Sequence, residues 1–162
     1  MPSNRVTSKL VALAMVAVCG SVFGIGLTII GYLTDWGPGG SMQGTFLSIL
    51  FVGGSSTLTG VTIGIWTTRK LLQIGIQGRN SPMKSALWQS FVVLTGSMIA
   101  FITSWEAGFF TGKISGAIEG IDWKATLIYA PLMAAIYGIP LCSFAAVLQG
   151  VITYFSSIKQ RT

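Results

Sequence analysis

The sequence predicts an all-α integral membrane protein: one domain, residues 1–162, built of four transmembrane helices with a short interfacial helix between spans three and four. Three observations carry this prediction. The composition is 51% hydrophobic and only 9% charged, whereas a soluble domain carries about a quarter charged residues. The mean hydropathy is correspondingly high, at +0.72. The apolar residues gather into four stretches, each longer than the roughly 18 residues needed to cross about 30 Å of hydrocarbon as a helix. The few charges are sorted by side, with the bases at one end of the stretches and the acids at the other. Backbone groups inside lipid must be satisfied within their own segment, so helices follow.

The first stretch runs from Leu10 to Leu33. Its opening, MPSNRVTSK then LVALAMVAVCG, has the charged and apolar regions of a signal peptide. Val18 stands where a lipoprotein cleavage box needs a small residue, and the apolar run continues through GSVFGIGLTIIGYL. That is too long for a signal peptide's apolar core, so the segment reads as a retained first span. Ala14, Ala17, Gly20, Gly24, Thr28 and Gly31 form a stripe of small residues along it. The second stretch, Phe46 to Trp66, carries Gly53, Thr57, Gly60 and Gly64, within and just after the polar run GGSSTLTG. The third, Leu87 to Phe110, carries Gly96, Ala100 and Ser104. The fourth, Thr126 to Phe155, carries Ala134, Gly138, Cys142 and Ala145, with Pro131 and Pro140 expected to bend it. Small-residue stripes let helix backbones approach closely in lipid, where packing drives association. Gly20, Gly24, Gly53, Thr57, Gly60, Gly64, Gly96 and Gly138 are therefore the expected helix-packing positions.

After the third span comes GFFTGKISGAIEG, with glycine at 108, 112, 116 and 120. With Gly96, Ala100 and Ser104 this makes seven small residues at a step of four. Each step turns the stripe by about 40°, more in total than one neighbouring helix can follow. A break or bend near Gly108 is expected. Beyond it Phe110, Ile114, Ile118 and Ile121 form an apolar stripe opposite the glycines, which suits a short helix lying in the outer interface. A re-entrant segment and an irregular loop are the alternatives.

Arg5, Lys9, Arg69, Lys70, Arg79, Lys84, Lys159 and Arg161 lie on one side of the spans, and Asp35, Glu106, Glu119 and Asp122 on the other, joined only by Lys113 and Lys124. This positive-inside pattern with an even number of crossings predicts both termini and the Arg69–Lys84 loop in the cytoplasm, as in a bacterial-type inner membrane. Trp36–Ser41 and Gly108–Lys124 are then outside. Trp36, Trp105 and Trp123 fall at outer boundaries, and Trp66 and Trp88 at inner ones, where aromatic belts sit. The net charge of +6 so placed is a topology signal, and no nucleic-acid partner is expected. Anionic lipid at Arg69, Lys70, Arg79 and Lys84 is a further partner class.

The chemistry is quiet. There is no histidine, which removes histidine-ligated metal sites and a Ser-His-Asp triad. Cys19 and Cys142 lie far apart in sequence near the middle of two spans. They read as small packing residues, with no reason to infer a disulfide. No nucleotide-binding or nucleophile-elbow motif occurs, so neither a cofactor nor an enzymatic activity is expected. The residues with polar work to do are Ser55, Ser56 and Thr57 in the second span, Glu106 at the outer boundary, and Gln149. For Gln149 the expected partners are Gln89 or the hydroxyls of the second span. The leading expectation is a non-enzymatic subunit or assembly factor of a larger membrane complex, docking on other membrane subunits or on itself through small-residue seams. The alternative is a small ion or solute permease or channel acting as a homo-oligomer, its path along the second span. A lytic pore or immunity protein is a third option.

Overall fold

The computed structural model describes residues 3–34, 45–74, 81–115 and 123–159, and over these every element is a helix, with Ser81 and Ser115 as caps of the third. The four helices are α1 (Ser3–Thr34), α2 (Thr45–Ile74), α3 (Pro82–Ile114) and α4 (Trp123–Lys159). Each contains one of the apolar stretches and overruns it at both ends. Three include segments long and apolar enough to cross a membrane: Ser8–Gly26, Pro82–Ile114 and Ala135–Lys159. α2 is of similar length, 30 residues, but carries the hydroxyl and glycine run at its centre.

Contacts fix the arrangement. Rising positions on α1 meet falling positions on α2: Gly20 faces Gly60 and Gly24 faces Gly53 and Thr57. Likewise Gly60 meets Ser104 and Gly64 meets Ala100 on α3, and Gly138 on α4 meets Phe101. Helices successive in the chain are therefore antiparallel, while α1 and α3 run parallel, with Val16 beside Gly96 and Gly20 beside Ala100. α3 packs on α1, α2 and α4, and α1 touches the other three, while α2 and α4 make no contact among the described residues. The bundle is a diamond with α1 and α3 across its short diagonal.

The outward surface is apolar. Leu58, Trp66, Phe144, Val147 and Phe155 are mostly exposed, while Ser56, Ser97, Ser104 and Gln149 are wholly buried. In water such an inversion would be unstable; in lipid it is the expected arrangement.

One expectation fails. No break occurs at Gly108: α3 continues through Gly108 and Gly112, both buried, to Ile114. The drift that no single neighbour can follow is shared by two. A Cβ on Gly60 of α2 would meet the Ala100 carbonyl oxygen at 2.7 Å, and one on Gly20 of α1 would meet Ala100 Cβ at 3.1 Å. Beyond Gly108 the helix is tied down by hydroxyls. Thr111 Oγ1 donates to the Ala107 carbonyl at 2.7 Å, and Ser55 Oγ of α2 donates to Thr111 Oγ1 at 3.0 Å. The end comes at Ser115, whose backbone N–H returns to the Thr111 carbonyl at 2.9 Å and whose Oγ donates to the Gly112 carbonyl at 3.1 Å. Phe110 and Ile114, expected on a separate interfacial helix, are exposed on this continuous one. Residues 116–120 lie outside the described residues, as do Arg79, Asp35, Trp36 and Asp122. α4 likewise runs unbroken with Pro131 and Pro140 inside it.

Candidate functional site

The densest polar constellation lies where α1, α3 and α4 converge, near Lys9, Lys84 and Lys159. Gln149 is fully buried there. Its Nε2 donates to Gln89 Oε1 at 2.7 Å and to the Ser8 carbonyl oxygen at 3.0 Å, with Ser8 Oγ at 3.2 Å and Thr153 Oγ1 at 3.4 Å. Ser8 Oγ also donates to Gln89 Oε1 at 3.0 Å and lies 3.2 Å from Thr153 Oγ1. An amide nitrogen has two protons, so the two shortest contacts use both. The Ser8 carbonyl can only accept, which fixes the orientation of the Gln149 amide. Its Oε1 is thereby turned away and has no partner among the described residues. Of the two partners expected for Gln149, Gln89 is the one it reaches; the hydroxyls of α2 bond elsewhere.

Those hydroxyls are spent between α2 and α3. Ser56 is fully buried, its Oγ donating to the Ser104 carbonyl oxygen with Ser104 Oγ 3.0 Å away. Ser55 bonds Thr111 and also returns to the Val52 carbonyl at 3.0 Å. Thr57 sits against α1, where a Cβ on Gly24 would collide with it. Ser55 and Ser56 therefore face protein, while Thr57 packs on α1 and also borders the open surface beside it. What remains open beside it is a shallow groove of about 420 Å³ on the outer surface between α1 and α2, lined by Ile25, Thr28, Leu50, Gly54, Leu58 and Val61 among others.

No family model, curated protein or solved structure matches this chain.

The glycines divide into two sets. Gly20, Gly24, Gly53, Gly60, Gly64 and Gly96 sit where an added Cβ would press on a neighbouring helix, much of it backbone. Gly96 does so against Thr68, and Gly138 against the Phe101 ring at 2.9 Å. Gly26 and Gly54 instead have nothing within 4 Å of an added Cβ. The first set is used inside the bundle, and the second has open space beside it.

At the opposite end, Trp105 is the hub of an aromatic cluster. Its ring stacks on Phe23 of α1 at 4.2 Å and lies parallel to Tyr137 of α4 at 6.1 Å, with Phe101 and Phe109 beside it. Its Nε1 is buried without a hydrogen-bond partner among the described residues. Glu106, next in sequence, is partly exposed on α3. Sequence reasoning did not single out Ser8, Thr153 or Ser97. A serine in a helix near its N-terminus looks ordinary until the helix beside it is known.

Proposed function

We propose that the chain is a four-span membrane subunit or assembly factor without enzymatic activity, with α2 as the fourth crossing and both termini on the cytoplasmic side. The observation that carries this reading is where the polar groups go. Ser55, Ser56 and Gln149 bond to neighbouring helices of the same chain, and a solute path would need such groups facing open space. The small-residue seams are also consumed internally, so a partner must use what is left outside. The α1–α2 groove is that surface: Gly54 in its lining lets a foreign helix approach the backbone, which lipid-phase association favours.

The orientation rests on charge. Lys9, Arg69, Lys70, Lys84 and Lys159 are exposed at one end of the antiparallel bundle, and a cluster of cations marks the cytoplasmic side. The same cations offer a surface to anionic headgroups.

Purification in a gentle detergent followed by mass measurement tests the reading. A stoichiometric complex with foreign subunits is expected, lost when Gly54→Leu fills the groove while the variant itself remains folded. A homo-oligomer that conducts ions or small neutral solutes after reconstitution would establish the permease reading instead.

A further inference from the structure

α2 and α4 show different faces to lipid. The outward side chains of α4, such as Leu132, Ile136, Phe144, Val147 and Phe155, are apolar. Those of α2 include Thr62, Arg69, Lys70 and Gln73. Register decides how deep the two cations stand. Gly64 packs on Ala100, and Thr68 packs on Gly96, so Arg69 is level with the residue just before Gly96 on α3. Ser8 bonds Gln89, which lies seven residues (89 to 96) nearer the Lys84 end of α3, and Lys9 stands beside that bond. By helical rise Arg69 is therefore roughly 9 Å farther into the bundle than Lys9, and roughly 16 Å farther than Lys84. These cations share an end of the bundle but not a height.

Bases at such depth are costly in lipid and pair with an anion. Among the described residues the one acid is Glu106, ten residues (96 to 106) past Gly96 toward the opposite end of α3. The same side of α2 continues the α1–α2 groove. Gly54, Leu58, Val61, Ile65 and Arg69 follow at steps of four, three, four and four, which keeps them on one side of a helix, and the first three line the groove. A helix laid in the groove and continued toward the Lys84 end comes to Arg69, 15 residues (54 to 69) past Gly54, or roughly 22 Å. This depth separates two kinds of anion. A headgroup phosphate is confined to the membrane surface, and snorkelling carries Arg69 and Lys70 only part of the way to it. A carboxylate on a crossing helix sits at whatever depth its sequence sets.

We propose that the outward face of α2, from Gly54 to Lys70, docks a transmembrane helix of a partner subunit that carries an Asp or Glu within its span, paired with Arg69 and Lys70. This rests on the docking role proposed above and names its chemistry. The groove supplies close packing, and the ion pair sets the register. The partner's acid falls about 15 residues, toward the Lys84 end, from the side chain that covers Gly54.

The test places the full chain in phosphatidylcholine nanodiscs with fluorescent alanine–leucine transmembrane peptides, each carrying one Asp at a different depth. Association is read by energy transfer. Binding should peak for Asp at the depth of Arg69 and fall about 10-fold when Asn or Leu replaces it, the upper range for one interhelical polar pair. Arg69→Leu with Lys70→Leu should remove the preference for Asp, and Arg69→Glu with Lys70→Glu should transfer it to a Lys peptide. Both positions are exposed, so the wild-type helical circular dichroism and elution volume should be kept. The depth series on the wild type needs no variant. Equal binding of Asp, Asn and Leu peptides at every depth would overturn the proposal. So would phosphatidylglycerol that co-purifies with the wild type and is lost with Arg69→Leu and Lys70→Leu while no peptide is preferred, which assigns the pair to a lipid. A native complex lost with Gly54→Leu yet kept whole with Arg69→Leu and Lys70→Leu would overturn the ion pair and leave the docking role standing.

Discussion

α2 and α4 flank the same α1–α3 wall without touching each other among the described residues, yet they are held to it by a different balance of means. α2 docks by the absence of side chains: Gly60 would bring a Cβ to 2.8 Å from the Gly20 carbonyl oxygen and 2.6 Å from Ser104 Cβ. α4 docks by their presence. Gln149 reaches across to Gln89 and Ser8, Phe101 covers Gly138, and Tyr137 lies parallel to Trp105. In lipid, association comes from close backbone packing or from interhelical hydrogen bonds; α2 combines its glycine seam with the Ser55 and Ser56 bonds to α3, whereas α4 leans on its side chains. A backbone seam has no slack, because neither wall can move aside. A side-chain seam can adjust its rotamers but suffers when a polar partner is lost.

That difference can be broken at four places, in descending order of effect. Gly60→Leu should cost upwards of about 3 kcal/mol, at or beyond the top of the usual range for overpacking, because the clash is with backbone and Cβ atoms. Denaturation of the detergent-solubilised protein followed by circular dichroism would measure it; a loss below about 1 kcal/mol would refute the backbone seam. Gln149→Leu should cost about 1–2 kcal/mol, from lost interhelical bonds averaging about 0.6 and seldom exceeding about 1.7. If it leaves the unfolding midpoint unchanged, the hydrogen-bonded cluster does not hold α4. Gly138→Ala should cost about 1 kcal/mol or less, since the atom it meets belongs to a Phe101 ring that can tilt. A double-mutant cycle with Phe101→Leu should recover most of that loss. Gly54→Ala, outward and open, should raise helix stability by up to about 1 kcal/mol, sharpening the contrast with Gly60 six residues along the same helix. An equal loss at both positions would erase the distinction between internal and outward glycines.

Much of the fold was legible because lipid leaves so few options. Long apolar runs such as Leu10 to Leu33 and Leu87 to Phe110 give helices, and the observed α1 and α3 extend them by only a few residues. The candidate site was legible in part. Gln149 stood out as a polar residue in an apolar run, and Gln89 was among its named partners. Ser8 and Thr153 were not, because a hydroxyl near a helix end gains a partner only once the neighbouring helix and its register are known. The break expected at Gly108 came from assuming one neighbour for the stripe, where α3 has three.

By itself the sequence determined that the chain forms long helices, that its surface is apolar, and which faces carry small residues or isolated polar groups. These follow from local composition and from the 3.6-residue period, and need no knowledge of neighbours. Only the tertiary structure decided which small residue meets which backbone, that Ser55 and Ser56 of α2 turn toward α3, and that two cysteines 123 positions apart (142 − 19) belong to one buried core cluster. A stripe of glycines says that a helix can be approached closely but carries no address for the helix that approaches. The address is set by register, which depends on every side chain along the seam at once.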